Sequence, residues 1–370
     1  AQHLTRADIA GIEGLAPDIL LLAGGTDGGN RDVILHNARA LAESGIDCPV
    51  VLAGNRAAGD EIAALFYAAG KSSVPCENVM PEFGQLNVEP AREVIRNVFI
   101  ESIVHAKGID RAHDLFDRVL MPTPAAVLDG ARLLAEGFED VAGLGELMVV
   151  DVGGATTDVH SVAKGEPEKG GVIRRGLPEP YVKRTVEGDL GMRHNAGGIV
   201  AASGLENIAA LAGVSEERAA SIVDGLSADV TRLPSEDDEH AVDAALARAA
   251  VSAAAARHAG TIETVYTVNG PATIQHGKDL SGVGAVIGTG GVLARGDRAA
   301  EILRACLADP AQPLSLRPRA PKLLLDGGYL LFAVGLLGSV APREAVMLGL
   351  THMQSLGEAI EHEPGTVARG

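Results

Sequence analysis

Tryptophan is absent from the 370 residues, and aromatic residues of every kind make up only 3%. A surface that stacks single-stranded bases on aromatic rings is therefore not expected, and the core has to be built from Ala, Val, Leu and Ile. Positive charge is also short: 31 Lys and Arg stand against 49 Asp and Glu, a formal net charge of −18. That balance opposes nonspecific binding to nucleic acid or an anionic membrane, so neither is an expected partner. Cysteine is limited to Cys48, Cys76 and Cys306, far apart and in no CxxC or Cys/His pairing. They read as reduced, mostly buried thiols of a cytoplasmic protein. None of the 11 histidines forms an HExxH or similar ligand pair, so a histidine-built metal centre has little support. The longest apolar stretch, 323–340, contains Asp326 and several glycines, and reads as a core strand and helix rather than a membrane span. The first residues show no signal-peptide pattern.

What is present is apolar residue (46%) and glycine, at 46 positions. A chain of this length with that much apolar surface is expected to fold as two α/β domains, each with its own core. Between 18 and 79, apolar runs alternate with amphipathic segments: DILLLAGG, then VILHNARALAES, then CPVVLAGN, DEIAALFYAAG and SVPCENVMP. Ile34, Leu35, Ala38 and Leu41 share one helical face. The alternation predicts a parallel sheet with ligand-facing loops at the carboxyl ends of its strands. Thr26, Asp27, Asn30 and Asn55 fall on two such loops, either against a ligand or as turn and helix-cap residues. A long helical region follows over 89–117, with a break expected at Gly108. The Pro-rich joint 121–124 is the expected domain boundary, giving an α/β domain over 1–121 and a second over 122–370. Within the second, 184–198 reads as loop, 199–259 as an Ala-rich helical insertion, and the acidic run 235–240 as a solvated loop.

Familiar nucleotide and hydrolase signatures fail on spacing. Gly70-Lys71-Ser72 imitates the end of a P-loop, but Leu65 stands where its first glycine belongs. No GxGxxG opens a helix, and there is no GxSxG elbow.

Two glycine loops carry the chemistry. In LMVVDVGGATTDVHSVA (147–163), Asp151 ends an apolar strand, Gly153 and Gly154 turn it, and Thr156, Thr157 and Asp158 open the return. Adjacent glycines let backbone N–H groups approach an anion. Two carboxylates beside such a turn make sense if a hard cation such as Mg2+ sits between them and a phosphate; an ordinary hairpin is the alternative. Further on, VIGTGGVL closes a strand on Gly288-Thr289-Gly290-Gly291, a loop able to lie against a ring or sugar where a Cβ would clash.

The order of these loops resembles the phosphate-2 and adenosine motifs of the superfamily of actin, sugar kinases and heat-shock chaperone ATPases. More narrowly, LLAGGTDGGN, VILHNARAL, VVDVGGATTDVHSV, EGDLGMRHNA and VIGTGGVL together resemble the methylaspartate (glutamate) mutase accessory protein family, over about 17–337. The resemblance implies an actin-like (ribonuclease H-like) ATPase architecture. It also implies a chaperone that uses ATP and Mg2+ to reactivate an adenosylcobalamin-dependent mutase by releasing damaged cobalamin. Its partners would be the mutase subunits. On that reading Asp151, Gly153, Gly154, Thr156 and Thr157 surround the β- and γ-phosphates, Asp151 and Asp158 serve metal and catalysis, and Gly288, Thr289, Gly290 and Gly291 face the adenosine. Asp326 and Gly335 fall in the helix matching the superfamily's second connecting segment. The superfamily's first phosphate turn, Asp-x-Gly-Ser/Thr, is not found before Pro17, so weak nucleotide binding and hydrolysis are expected of a unit without it. The competing reading is a small-molecule kinase or ATP-dependent amidohydrolase subunit on the same fold, with Asp151 or Asp158 as base. A subunit that binds no nucleotide is a third.

Overall fold

The apolar runs that alternate with the two helical segments become strands β1 (Leu20–Leu22), β2 (Val50–Leu52) and β3 (Ser73–Pro75), all parallel, in the order β1-β2-β3. In the computed structural model, which describes residues 2–106, 121–167, 170–268 and 270–358, they belong to the first of two compact units, 1–122 and 123–370. Helix α1 (Arg6–Leu15) precedes them, closed by a capping box between Thr5 and Asp8. Helices α2 (Asp32–Glu43) and α3 (Gly59–Ala68) make the crossovers. Ile34, Leu35, Ala38 and Leu41 are all buried, with Val50, Leu52, Ile62 and Phe66, in one apolar cluster. The sequence that imitates a P-loop end is a helix cap: Lys71 Nζ donates to the carbonyls of Leu41 and Ser44 at the C-terminus of α2, at 2.7 and 2.6 Å. Helix α4 (Glu89–Ala106) follows, and Gly108 lies outside the described residues.

The second unit opens with α5 (Thr123–Glu136) and the short hairpin β4 (Gly137–Phe138) and β5 (Val141–Ala142). Its main sheet uses β6 (Leu147–Val152), β7 (Thr157–Val162), β9 (Val182–Glu187), β12 (Ala285–Thr289), β13 (Lys322–Leu325) and β14 (Gln354–Glu358), in the order β14-β13-β12-β6-β7-β9. The three central strands β13, β12 and β6 run parallel; β7, β9 and β14 are antiparallel to their neighbours. Strand β8 (Ile173–Arg175) joins the hairpin β10 (Thr261–Thr267) and β11 (Gly270–His276) in a separate, largely exposed sheet.

Side chains alternate across the main sheet, as the pleat requires. Met148, Val150 and Val152 of β6 pack with α6 (Ala196–Ser203), α7 (Leu205–Ala212), α8 (Glu216–Ala228), α9 (Asp237–His258), α10 (Gly291–Arg295) and α11 (Ala299–Arg304). Leu147 and Val149 face the other way, toward α5, α12 (Leu331–Gly338) and α13 (Pro342–His352). The Ala-rich insertion is helical; a small side chain every few positions lets α9 lie close on the sheet.

Three expectations fail. Residues 184–187, expected as loop, belong to an edge strand whose Lys183, Arg184 and Glu187 disguise it, as edge strands tend to be charged. The acidic run is not a solvated loop: Asp237 starts α9, and Glu239 turns inward to accept the Ser235 N–H (2.8 Å) and pair with Arg232. Asp326 precedes α12 rather than lying in it. Among the described residues, no helix is long and apolar enough to cross a membrane.

Candidate functional site

Parallel pairing puts Thr289 beside Asp151 and Gly288 beside Leu325, one residue before Asp326. The carboxyl ends of β6, β12 and β13 therefore bring both glycine loops and Asp326 to one rim of the sheet, where ligands of open α/β sheets bind. Strand β7 starts from that rim, and its Asp158 pairs across with Asp151.

The rim has two sides. Asp151, Asp158 and Asp326 follow the alternation that sends Val149, Val162 and Leu324 toward α5 and α12. On the opposite side a cavity of about 510 Å3 lies between the loops. Gly153 and Gly154 border it from one loop, Gly291 and Val292 from the other, with Arg193 and Arg295 at its wall. Gly290 closes the seam: its φ is +100°, and a Cβ there would overlap the backbone of Val152. The N–H groups of Gly154 and Ala155 are exposed and meet no protein acceptor among the described residues, so they remain available to an anion.

The carboxylates differ in their partners. Asp326 is buried and satisfied: it accepts the N–H groups of Leu330 (2.8 Å) and Leu331 (2.9 Å) and the Thr289 hydroxyl (3.1 Å). It pins the start of α12 to the adenosine-type loop, and Thr289 is spent on that bond. Asp158 is held by Arg184, whose Nε and Nη2 both donate to Oδ1 at 3.1 and 2.8 Å, while Thr156 donates to Oδ2 at 3.0 Å. Asp151 has no hydrogen-bond donor among the described residues. Burial, then the charges of Asp158 and Asp326, push its pKa up to about 6. Thr157 points away, donating to the Leu190 carbonyl at 2.7 Å. Among the described residues no group of three or more His, Cys, Asp or Glu side chains is arranged to hold a metal ion.

The sequence reading missed Arg184, hidden in the disguised edge strand, and Arg193, which bridges Asp243 at 2.7 Å and lines the cavity. It also missed Tyr329, whose φ of +53° is unusual for a bulky residue. Its hydroxyl is pushed up in pKa by burial and by the charges of Asp151, Asp326 and Asp158.

Comparison with known proteins agrees with the motif reading. The MutL protein family model matches residues 1–353. The chain belongs to that family. Protein MutL of Clostridium tetanomorphum is 46% identical over 345 residues, 93% of this chain and 75% of that protein. This is the methylaspartate (glutamate) mutase accessory family whose loops the chain resembles.

A family member whose rim depends on Asp326 should lose stability when that side chain goes. Asp326→Ala leaves one buried and one partly buried N–H group and a buried hydroxyl unpaired, and we expect a loss of about 2–3 kcal/mol. Urea denaturation measures it; a change below about 0.5 kcal/mol contradicts the pinning role.

Proposed function

We propose that this MutL family chain binds Mg2+ and ATP at the rim of its six-stranded sheet, and couples nucleotide state to reactivation of an adenosylcobalamin-dependent mutase of the glutamate mutase type. The observation that carries the reading is the convergence of the two glycine loops on one cavity, from segments some 130 residues apart in sequence. The order of the motifs within one mixed sheet supports an actin-like ATPase architecture for the second unit. The phosphates would lie on the N–H groups of Gly154 and Ala155, and the nucleoside against Gly291 and Val292.

The donor set fits a hard cation at one position. Asp151 is an acceptor without a donor among the described residues, raised in pKa by burial and then by its acidic neighbours, and a cation relieves that repulsion. Asp158 already serves Arg184, so it acts by orienting the guanidinium and Thr156 rather than as a ready ligand. Asp151 would hold bound Mg2+, which would supply positive charge to neutralise the phosphates. Arg184 keeps positive charge near the same turn.

Gly291→Leu tests the site without disturbing the fold, because a Cβ there meets nothing within 4 Å and the backbone is not left-handed. Its side chain would fill the cavity. Calorimetry with Mg-ATP should show affinity lowered at least about tenfold, the loss of some 1.4 kcal/mol, with thermal stability unchanged. Capture of the mutase subunits should depend on ATP in the parent and not in the variant. Equal affinity in both proteins refutes the site. Failure to capture a mutase, with phosphorylation of a small metabolite, favours the kinase reading instead.

A further inference from the structure

The first unit holds a cavity that the nucleotide reading does not use. It measures about 630 Å3, within the roughly 300–1,000 Å3 range of small-molecule sites, and opens at the carboxyl ends of β2 and β3. Its floor is apolar, from Leu52, Ile62, Ala63 and Pro75. Its polar side carries the carboxylates of Asp27, Asp60 and Glu77 against the single guanidinium of Arg56.

The frame is rigid before any ligand arrives. Asn55, 1% exposed, accepts the N–H groups of Gly28 (3.2 Å) and Ala57 (2.9 Å) and donates to the carbonyls of Gly29 and Asn30. Asp27 Oδ1 accepts both the Arg56 N–H and the Asn78 Nδ2, each at 2.9 Å. Those two bonds hold the Asp27 pKa below the usual carboxylate range, so the group is ionised at neutral pH. Both use one oxygen, leaving Oδ2 without a donor among the described residues. Glu77 engages Asn87 through Oε2 alone (2.9 Å), and Asp60 has no partner among the described residues. The walls thus present open anionic acceptors above an apolar floor, a combination suited to an amphipathic cation.

We propose that this cavity is a second ligand site, taking a small molecule with a protonated amine on an apolar body. The amine sits among Asp27, Asp60 and Glu77, and the body rests on Leu52, Ile62 and Pro75. The site lies wholly in the first unit, so it stands or falls independently of the nucleotide site.

The chain supplies its own reporter. Cys76 lines the cavity and is the one thiol of the three that is not buried. Its alkylation by N-ethylmaleimide, followed by mass spectrometry on the full chain, should slow in benzylamine and much less in benzyl alcohol or benzoate, which share the ring but not the charge. Asp60→Asn and Glu77→Gln leave the Asp27 stitching intact. Each should weaken benzylamine protection by about two- to fivefold, the scale of a partly exposed ion pair. High salt should weaken it in the parent. Asp27→Asn should abolish it, but that change also loosens the loops, so the other two variants decide. Equal protection by benzyl alcohol, better protection by benzoate, or protection unchanged in both variants overturns the assignment, as does no protection at all.

Discussion

Asp151→Asn should weaken Mg-ATP binding at least about tenfold while making the ligand-free chain more stable at neutral pH. The two effects have one cause. Asp151 is pushed up to about 6 by burial and then by Asp158 and Asp326, offset only in part by the charge of Arg184, and it has no hydrogen-bond donor among the described residues. An unfolded carboxyl titrates near 4, so between about pH 4 and pH 6 the folded chain holds a proton that the unfolded chain releases. The ionised group therefore costs nothing below about pH 4. Its cost grows through that window, and the full cost stands above pH 6. Two pH units set an upper limit near 3 kcal/mol, from which solvent screening of a partly exposed group takes a share. Asparagine removes the charge and so the cost. Urea denaturation should show the variant ahead by about 1–2 kcal/mol at pH 7.5, with the gap closing near pH 4.5. A variant less stable than the parent at both pH values, with unchanged Mg-ATP affinity, would sink the assignment of Asp151 as the cation's acceptor.

That instability explains what the sequence could disclose. The spacing of Asp151, Gly153, Gly154 and Asp158 marks a turn between two strands, and the continuous apolar run before it marks a buried strand. Both are local, and both are present: the hairpin closes over 153–156, and Met148 and Val149 are fully buried. The strand–helix alternation of 18–79 was legible for the same reason. What joins the two glycine loops is not local. It depends on the parallel pairing of β6 with β12, which no spacing rule supplies. Nor does any pattern reveal that Arg184 occupies Asp158. Edge strand β9, half-buried along most of its length, shows charge instead of an apolar period, so Arg184 reads as part of a loop. The resemblance to the superfamily's second connecting segment puts Asp326 in a helix. Its carboxylate instead accepts the first N–H groups of α12, a role one turn outside the helix. Thr157 next to Thr156 could be assigned to the phosphate only until the strand alternation was fixed; the pleat sends neighbouring side chains to opposite faces.

Gly335→Ala should destabilise the second unit, and Gly197→Ala should act in the opposite direction. Both glycines lie inside helices, where alanine is favoured by about 1 kcal/mol on backbone entropy alone. At Gly197 a Cβ meets nothing within 4 Å, so that gain is unopposed, and a rise of up to about 1 kcal/mol is expected. At Gly335 the Cβ would overlap the carbonyl oxygen of Ala126 and come within 2.9 Å of the Gly130 nitrogen. Both obstacles are backbone, so no rotamer change relieves them; α12 and α5 must move apart. Overpacking of that kind costs about 1–3 kcal/mol and occasionally more, and here it also lifts Val334 and Leu331 from their places in the core. The net expectation is a loss of about 2 kcal/mol, lowering the melting temperature by about 4–8 °C. Because Asp326 anchors the start of α12 to Thr289, displacement of the helix should also pull on the adenosine-type loop, and Mg-ATP affinity should fall with stability. Thermal denaturation and calorimetry on the two variants separate the cases. A Gly335→Ala chain that melts at or above the parent temperature would mean that the helices part freely, and the close crossing would no longer explain the glycine.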